Sequence, residues 1–452
     1  MSLSDNNKRT EGDINLTPAR ADWLESEVDE DTKILLRKDA RYFLHQAMST
    51  PCLDVLKACE GSTIENISGK KYLDFHGNNV HQIGYSNPKL IENIIKQLQT
   101  LSFSPRRFTN EPAINFAEKL ASLMPSNLNR ILLTPNGSSA VGITLKLARA
   151  VTKKHKVVSF WDSFHGASLD AISVGGESVF RDHIGPLMPG VERIPPPVTY
   201  RGIFENNENK CLEYLEYVFS KEGDIGAFIA ETIRNTDVQI PSEHFWKEAR
   251  KLCTKYGVLL ILDEIPIALG RTGKMFAFEH YGIEPDILCI GKGLGGGIIP
   301  QAAIITRDDY NIFNNISLGH YTHEKSPLGS IAGLTVINII EEENLLKKVK
   351  NDEIYMQSAL AALKLKHRMI GDVRGIGLLW GVELVKNRNT KEKAFAEAET
   401  VMYECLKHGL SFKVSAGNVL QLSPALTISR KELDTALNIL DKSLAIIHET
   451  IN

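Results

Sequence analysis

Between residues 112 and 310, segments with the periodicity of amphipathic helices alternate with six short apolar runs. These runs are strand candidates at 130–134, 157–161, 227–230, 257–262, 286–290 and 302–306. Such alternation is typical of a mainly parallel sheet covered by helices, so the sequence predicts an α/β fold. In an open sheet of this kind, ligands bind beyond the carboxyl ends of the strands.

The composition is that of an ordinary globular protein, since 43% of the 452 residues are hydrophobic and 24% are charged. A net charge of −3 does not favour a nucleic-acid surface or a polybasic membrane patch. No segment is long and apolar enough to span a bilayer, the N-terminus lacks the apolar core of a signal peptide, and the six cysteines form no CxxC or Cys/His cluster. We therefore expect a cytoplasmic protein with reduced cysteines and without a metal site.

Other segments have local signatures. Residues 1–30 are polar and acidic and are expected to form a mobile or partner-bound arm, whereas 61–75 alternate and turn like a hairpin. Six apolar positions on one face predict an amphipathic helix at 89–101. The Pro- and Asn-rich stretch 190–210 is interpreted as a surface loop, and 327–344 as a long helix that leads to a C-terminal lobe.

From these segments we predict three parts of the chain. Residues 1–75 form the N-terminal arm and part of a small domain, and 76–335 form a large cofactor-binding domain. Residues 336–452 form a C-terminal small domain of α+β type, with short strands at 377–384 and 419–422.

Two strand candidates are followed by residues that are chemically reactive together. Asp263 follows the run at 257–262, and Lys292 follows the run at 286–290 and precedes a glycine-rich turn. An acid that keeps a ring nitrogen protonated and an amine that forms a Schiff base are what pyridoxal phosphate requires from a protein. Either residue alone is equally well explained as the polar end of a strand.

Two turns after other strands carry further candidates. Gly137 and Ser138 lie between a strand and a helical pattern, where backbone N–H groups can bind a phosphate, although such turns are more often simple helix caps. Phe164, followed by His165, comes after the strand at 157–161 and can stack on a flat heteroaromatic ring. In isolation, an aromatic that packs under a loop is the more ordinary interpretation.

Three further polar positions are less specific. Glu231 ends a strand and can either bind a ligand or tie a loop, and Thr322, between two histidines, can donate to a phosphate or lie on a surface loop. Arg271, in a Gly-Arg-Thr-Gly turn, is expected to hold Glu264 or the neighbouring subunit.

Together these stretches resemble the class III (ω-) aminotransferases of the fold type I pyridoxal phosphate enzymes. The resemblance covers about residues 50–445, and its most specific part reads LLILDEIPIALGRTG…PDILCIGKGLGGG. It implies a large domain built on a mainly parallel seven-stranded sheet between helices, and a smaller α+β domain.

The resemblance also implies a role for individual positions. Lys292 would carry the cofactor and later move a proton, Asp263 would pair with the pyridine nitrogen, and Ile265 and Phe164 would cover the two ring faces. The remaining cofactor-binding positions are His165 beside the ring, Glu231 near the ring hydroxyl or the substrate, and the phosphate-binding Gly137, Ser138 and Thr322. Thr322 would act from the partner subunit, which implies an obligate homodimer with shared active sites.

The sequence departs from the family pattern where many transaminases hold a substrate carboxylate. There the family has an arginine in a Leu-Arg-x-x-Pro-Pro stretch, whereas this chain has Gln421. A neutral amide cannot replace a bidentate guanidinium, so a reaction that must accept a keto acid is disfavoured. The chain instead resembles, at 78–84 and 107–108, a lyase branch of the family that acts on phosphonate-bearing or phosphorylated amines.

This resemblance implies elimination from a hydroxylated aminoethylphosphonate, giving phosphonoacetaldehyde and ammonia. Arg106 and Arg107 are candidates to bind the phosphonate, although adjacent loop arginines are usually solvated. His81, near Asn79, can assist the departure of hydroxide, although a structural histidine is the commoner case.

Three other functions are weighed against this lyase. The first two are an ω-amine:keto-acid transaminase and a phospho-lyase acting on an amine phosphate such as ethanolamine phosphate. The third, a regulator that binds the cofactor without catalysis, is disfavoured because the chain has no basic helix-turn-helix extension.

Overall fold

The computed structural model describes residues 17–46 and 52–451, and side chains as far as residue 447. Its helices are α1 (Ala19–Ser26), α2 (Glu30–Tyr42), α3 (Pro88–Thr100), α4 (Glu111–Ser122), α5 (Gly137–Thr152), α6 (Leu169–Val174), α7 (Glu208–Lys221), α8 (Glu243–Tyr256), α9 (Pro327–Glu342), α10 (Leu345–Lys366), α11 (Phe395–Lys407) and α12 (Arg430–Ile451). Part of the arm predicted at 1–30 lies outside the described residues, and its described part contains α1.

The central sheet has seven strands in the order β4-β10-β9-β8-β7-β5-β6. These strands are β4 (Leu128–Thr134), β5 (Lys156–Phe160), β6 (Val191–Ile194), β7 (Ile225–Glu231), β8 (Leu259–Asp263), β9 (Ile287–Ile290) and β10 (Ala302–Arg307). Pairing is parallel from β9 through β8, β7 and β5 to β6, and β10 alone runs antiparallel to its neighbours β4 and β9. The mainly parallel seven-stranded sheet is therefore confirmed.

The central strands β7, β8 and β9 are apolar except for Glu231 and Asp263 at their carboxyl ends, because helices cover both faces of the sheet. Every residue of β7, β8 and β9 is buried, as expected for parallel strands that contact helices on both sides. Short connections then bring the carboxyl ends of β4, β5, β7, β8 and β9 to one edge of the sheet.

Two smaller sheets flank this domain. The first joins β1 (Leu56–Glu60), β2 (Thr63–Asn66) and β3 (Lys71–Asp74) with β14 (Leu410–Ser411), which lies parallel to β3. The second contains β11 (Ile370–Ile376), β12 (Leu379–Asn387), β16 (Val419–Leu422) and β15 (Lys413–Ser415), with β13 (Glu392–Lys393) paired to β12. The hairpin predicted at 61–75 is present as β2 and β3, while the division into parts at 75 and 335 stays a prediction.

The interpretation of 190–210 as one surface loop is wrong at both ends. Val191–Ile194 forms the edge strand β6, which pairs with β5, and α7 begins at Glu208. Neighbouring prolines concealed the strand, which is too short to be recognised from periodicity. None of the helices within the described residues is long and apolar enough to cross a membrane.

Candidate active site

A cavity of about 370 Å³ opens where the carboxyl ends of five central strands meet. Each strand contributes at least one wall residue from its end or from the turn that follows it. These residues are Gly137 and Ser138 after β4, Phe164 and His165 after β5, Glu231 of β7, Asp263 and Ile265 at the end of β8, and Lys292 after β9. The fold thus brings eight of the sequence-predicted residues together.

One end of the cavity is the N-terminus of α5. Gly137 and Ser138 are its first two residues, and the preceding Asn136 caps the helix by accepting from the Ser139 N–H at 2.9 Å. Free N–H groups and the helix dipole make such a terminus a binding site for a phosphate group. The helix is 16 residues long, so this end is firmly held by the rest of the domain.

Glycine is required where two turns meet at this end. Gly166 has a φ of +125°, and a Cβ there would lie 2.9 Å from the Cα of Ser138. A Cβ on Gly137 would lie 2.8 Å from the Cδ1 of Ile265. Glycine therefore lets the turn at 166 approach Ser138, and lets Ile265 approach the backbone at 137, more closely than a residue with a side chain permits.

Two apolar side chains line the cavity beside this anion-binding end. Phe164 packs against Phe180 with ring centroids 4.6 Å apart, and the buried Ile265 lies beside Gly137. Phe180 was not found from the sequence because it lies in a short 3-10 turn with no recognisable motif. A flat aromatic ligand would find apolar contacts in this part of the cavity.

A buried carboxylate and a buried imidazole lie next to each other in the wall. His165 Nδ1 lies 2.8 Å from Oδ2 of Asp263, and Oδ1 of Asp263 accepts from the Ile265 N–H at 3.1 Å. Nε2 of His165 has no hydrogen-bond partner among the described residues. The pair fixes the orientation of the Asp263 carboxylate, since both of its oxygens have a partner.

Lys292 occupies an unusual backbone conformation. Its φ of +48° lies in the left-handed region, which costs a non-glycine residue about 1 to 3 kcal/mol. Burial lowers the pKa of its amine, against the opposing effect of the Asp263 and Glu231 carboxylates. A lysine with a lowered pKa is suited both to attack a carbonyl and to accept a proton.

Glu231 ties two loops together. Its Oε1 accepts from the Phe164 N–H at 3.2 Å, and its Oε2 accepts from the Asn235 N–H at 3.0 Å. Burial raises the pKa of this carboxyl. Of the two interpretations open from the sequence, the loop tie is therefore present, and Glu231 also lines the cavity.

Five predicted residues do not line the cavity of their own chain, and three of these lie at the surface. Thr322 and Arg107 are exposed, and Arg106 lies on the surface with Glu324 at 3.2 Å and in contact with His320. Within one subunit, none of the three is therefore in a position to bind a ligand in this cavity.

Asn79 and His81 lie behind the cavity wall. Asn79 Nδ2 donates to Oδ1 of Asn235 at 3.2 Å, and His81 stacks on Tyr85 with ring centroids 5.0 Å apart. Burial lowers the pKa of His81 to about 4. The imidazole that does line the cavity belongs to His76, and burial likewise lowers its pKa to about 4.

Several wall residues were not predicted from the sequence. They are His76, Asn78, Ala167, Phe180, Asn235, Thr236, Pro266 and Lys413. Lys413 comes from the C-terminal lobe, about 120 positions after Lys292, and no local pattern marks it. His76 and Asn78 follow β3, and the available signal was the run Gly77-Asn78-Asn79, whose residue types tolerate the positive φ that they adopt here.

Arg271 does not hold Glu264, as the sequence interpretation offered. It is fully buried and donates to the backbone carbonyls of Leu378, at 3.1 Å, and Pro424. Glu264 instead accepts from Thr232 and from the N–H groups of Ala277 and Phe278.

The residues present fit pyridoxal phosphate. An anion-binding helix terminus, apolar side chains, a buried carboxylate and a nucleophilic lysine are the groups that a phosphorylated pyridine aldehyde requires. Glycine at 166 adds no side chain next to Ser138 at the N-terminus of α5. Among the described residues, no group of three or more His, Cys, Asp or Glu side chains is arranged to hold a metal ion.

Comparison with known proteins gives one family match, two similar relatives and one similar solved structure. Residues 45–444 match the family described as aminotransferase class-III. An (R)-1-hydroxy-2-aminoethylphosphonate ammonia-lyase of Vibrio splendidus is 57% identical, and the match covers 97% of this chain and 95% of that protein. A leucine/methionine racemase of Thermococcus litoralis is 35% identical, and the match covers 92% of this chain and 96% of the racemase. An amine transaminase from an uncultivated Pseudomonas species, solved with pyridoxal phosphate bound, superposes with a TM-score of 0.85 at 26% identity over 90% of this chain and 99% of that one.

Proposed function

Because the chain belongs to the class-III aminotransferase family, we propose that it is a pyridoxal phosphate-dependent lyase acting on (R)-1-hydroxy-2-aminoethylphosphonate. The products are phosphonoacetaldehyde and ammonia. The observation that carries this proposal is the 57% identity, over nearly the whole length of both chains, to the Vibrio ammonia-lyase of that name. The loss of a charged residue at Gln421 supports it, because a keto-acid acceptor would lack its usual partner.

Pyridoxal phosphate, when bound, supplies an electron sink that stabilises negative charge on the carbon bearing the substrate's amino group. Asp263 would keep the ring nitrogen protonated, and His165 holds Asp263 in place through the 2.8 Å contact. Gly137 and Ser138 would bind the phosphate at the N-terminus of α5, and Phe164 and Ile265 would supply apolar contacts to the ring.

Lys292 has two tasks in this proposal. Its amine would hold the cofactor in the resting enzyme and, when free, would accept a proton from the substrate carbon that bears the amino group. Burial lowers the pKa of Lys292, so a larger fraction of the amine is in the basic form near neutral pH. Lys292 lines the cavity, as this role requires.

The neighbouring carbon would then lose its hydroxyl group, which would leave as water after it accepts the proton that Lys292 removed. His76 is better placed than His81 to donate a hydrogen bond to this hydroxyl, because only His76 lines the cavity. With a pKa lowered to about 4 by burial, His76 is neutral at physiological pH and orients the leaving group without a full charge. The released enamine takes up water and gives the aldehyde and ammonia, so no net water is consumed.

We also propose that the enzyme acts as a homodimer. Ile91, Ile95 and Leu98 form a row on α3, and all three are exposed although Leu90 and Ile94 of the same helix are buried. Exposed apolar rows of this kind mark protein–protein contacts. A partner subunit on this face would explain why Thr322, a proposed phosphate ligand, lies outside the cavity of its own chain.

Three wider assignments follow from the same proposal. The enzyme acts in the cytoplasm, in the degradation of phosphonates, and its product requires a following enzyme that uses a phosphonate aldehyde.

The chain divides into an N-terminal arm, a cofactor-binding domain at 76–335 and a small domain at 336–452. The sheet that joins β14 to β3 supports placing residues before 76 with the C-terminal part.

The decisive experiment is incubation of the holoenzyme with the hydroxylated aminophosphonate and no keto acid. We expect many equivalents of ammonia per active site and an equal amount of phosphonoacetaldehyde. A transaminase would instead stop after one equivalent and leave the aminated cofactor. Borohydride reduction followed by peptide mapping tests the attachment point, which we expect at Lys292, and Lys292→Ala should release no ammonia.

A further inference from the structure

The cavity has a second lysine in its wall, and this lysine comes from the C-terminal lobe. Lys413 begins the short strand β15 and lines the same cavity as Lys292. In the antiparallel pair of β15 with β16, Lys413 lies directly opposite Gln421. Directly opposed residues in such a pair project to the same face of the sheet, so the two side chains are neighbours.

The charges around the cavity are unevenly distributed. Among the described residues that line it, Glu231 and Asp263 are acidic, no arginine is present, and Lys292 and Lys413 are the two lysines. Lys292 is occupied by the cofactor in the proposed function, and a phosphonate dianion requires a cation or several N–H donors. In a single subunit, Lys413 is therefore the cationic side chain that can meet it.

Burial supports this assignment. The pKa of Lys413 is lowered to about 7 because the amine is removed from water. A nearby dianion favours the charged form of such an amine and so reverses this effect. A ligand with a double negative charge therefore gains more from Lys413 than a neutral ligand does.

Gln421 adds a neutral donor on the same face. Its side chain is fully buried, and its Oε1 is 3.4 Å from the Ser415 hydroxyl, which donates to it. Its Nε2 has no hydrogen-bond partner among the described residues. An unsatisfied buried donor is costly, and an anionic oxygen is the partner that would satisfy it best.

We propose that Lys413, with Gln421 beside it, binds the tetrahedral dianion of the substrate and so selects amines that carry a phosphonate or phosphate group. This inference rests on the proposed function, because it takes Lys292 as the residue that holds the cofactor. It assigns substrate selectivity to the C-terminal lobe and separates it from the proton transfer at Lys292.

The test measures binding by the change in cofactor absorbance, without turnover. The probes are 2-aminoethylphosphonate, which has no hydroxyl group to lose, ethanolamine phosphate, and propylamine, which has no anionic group. We expect Lys413→Met to weaken 2-aminoethylphosphonate binding by about 10- to 100-fold, the loss of one charge-assisted contact, and propylamine binding by less than about 3-fold. Lys413→Arg should retain most of the preference because it keeps the charge.

A matched control is Lys393→Met. Lys393 is also a poorly solvated lysine of the C-terminal lobe, with its pKa lowered to about 8 by burial, and it donates to the Ala416 carbonyl at 2.9 Å. It lines a different cavity. We expect this variant to keep the wild-type preference for 2-aminoethylphosphonate over propylamine.

The outcomes separate the two proposals. If Lys413→Met weakens all three probes equally, or none of them, Lys413 does not bind the anion and the inference is overturned, while ammonia release by the wild type still stands. If Arg107→Met removes the preference and Lys413→Met does not, the anion is bound by a loop of the partner subunit and the inference is again overturned. If Lys413→Met selectively weakens binding of the anionic probes but the wild-type enzyme releases no ammonia, the role of Lys413 is supported and the proposed reaction is overturned. Equal effects on 2-aminoethylphosphonate and ethanolamine phosphate support a site for the shared dianion.

Discussion

Nδ1 of His165 lies 2.8 Å from Oδ2 of Asp263, and both side chains are buried at the carboxyl edge of the central sheet. We expect Asp263→Asn to lower kcat by about 100- to 1,000-fold, because a neutral amide cannot hold a protonated pyridine nitrogen. His165→Gln should have a smaller effect, because His165 acts through the orientation of Asp263. Steady-state kinetics and the pH profile of cofactor absorbance measure both effects, and a loss in His165→Gln as large as that in Asp263→Asn would contradict this ranking.

A methyl group added at Gly166 should weaken cofactor binding. The residue has a φ of +125°, and its Cβ would lie 2.9 Å from the Cα of Ser138, so the turn at the N-terminus of α5 must move. We expect Gly166→Ala to raise the dissociation constant of pyridoxal phosphate by about 10-fold or more, which corresponds to about 1.4 kcal/mol.

Gly223→Ala is the matched control for this change. A Cβ there has nothing within 4 Å and the residue has no positive φ, so cofactor affinity should not change. Titration of the apoenzyme, followed by absorbance, compares the two variants. Equal affinities for Gly166→Ala and wild type would show that the turn is not part of the binding site.

A charge placed on the apolar row of α3 should separate the subunits. Ile95 and Leu98 are 48% and 49% exposed in the single chain, and a carboxylate buried in a dimer interface without a partner is strongly unfavourable. We expect the double change Ile95→Glu, Leu98→Glu to give monomers in analytical ultracentrifugation and to lower activity.

Leu365→Glu serves as its control, because Leu365 is 85% exposed at the end of another helix. This variant should sediment like the wild type. A doubly substituted protein that remains dimeric would place the subunit contact elsewhere and would remove the support that α3 gives to the shared active site.

Glu177 should make stability fall as the pH rises from about 4.5 to about 9. Burial raises its pKa to about 9, and neither carboxylate oxygen has a hydrogen-bond partner among the described residues. The native state therefore holds a proton that the unfolded chain releases above a pKa near 4.5. The stabilisation from this proton is complete below that value and is lost as the pH rises towards 9.

Replacement of Glu177 by glutamine should remove this dependence. Relative to wild type, we expect Glu177→Gln to gain free energy of unfolding by up to about 1.4 kcal/mol for each pH unit between 5 and 9. Urea denaturation at several pH values measures the difference. A constant difference between the two proteins across this range would mean that Glu177 is ionised in the native state.

The sequence predicted the parts of the site that depend on short-range order along the chain. Asp263 and Lys292 each follow an apolar strand, and parallel strands with short connections can place their ends only at one edge of the sheet. For the same reason, Gly137 and Phe164 were found. These residues share the cavity because the topology leaves few alternatives.

The residues that were missed depend on long-range packing. Lys413 belongs to a different sheet from the other wall residues. Arg271 donates to the backbone carbonyls of Leu378 and Pro424, which lie more than a hundred positions away along the chain. A single sequence contains no signal for such pairings. From the sequence, His81 is the candidate to assist hydroxide departure, but His76 is the histidine that lines the cavity. Both residues follow β3, and only the geometry of the turn decides which one faces the cavity.

The parallel pairing of β14 with β3 limits how early this protein can complete its folding during synthesis. In this pair Leu410 lies opposite Leu73. The strand β3 therefore lacks its neighbour β14 until more than 300 further residues have left the ribosome. Nascent chains would expose this apolar edge throughout that interval. Truncation between residues 308 and 409 should therefore leave a product prone to self-association, even though every strand of the central sheet is present.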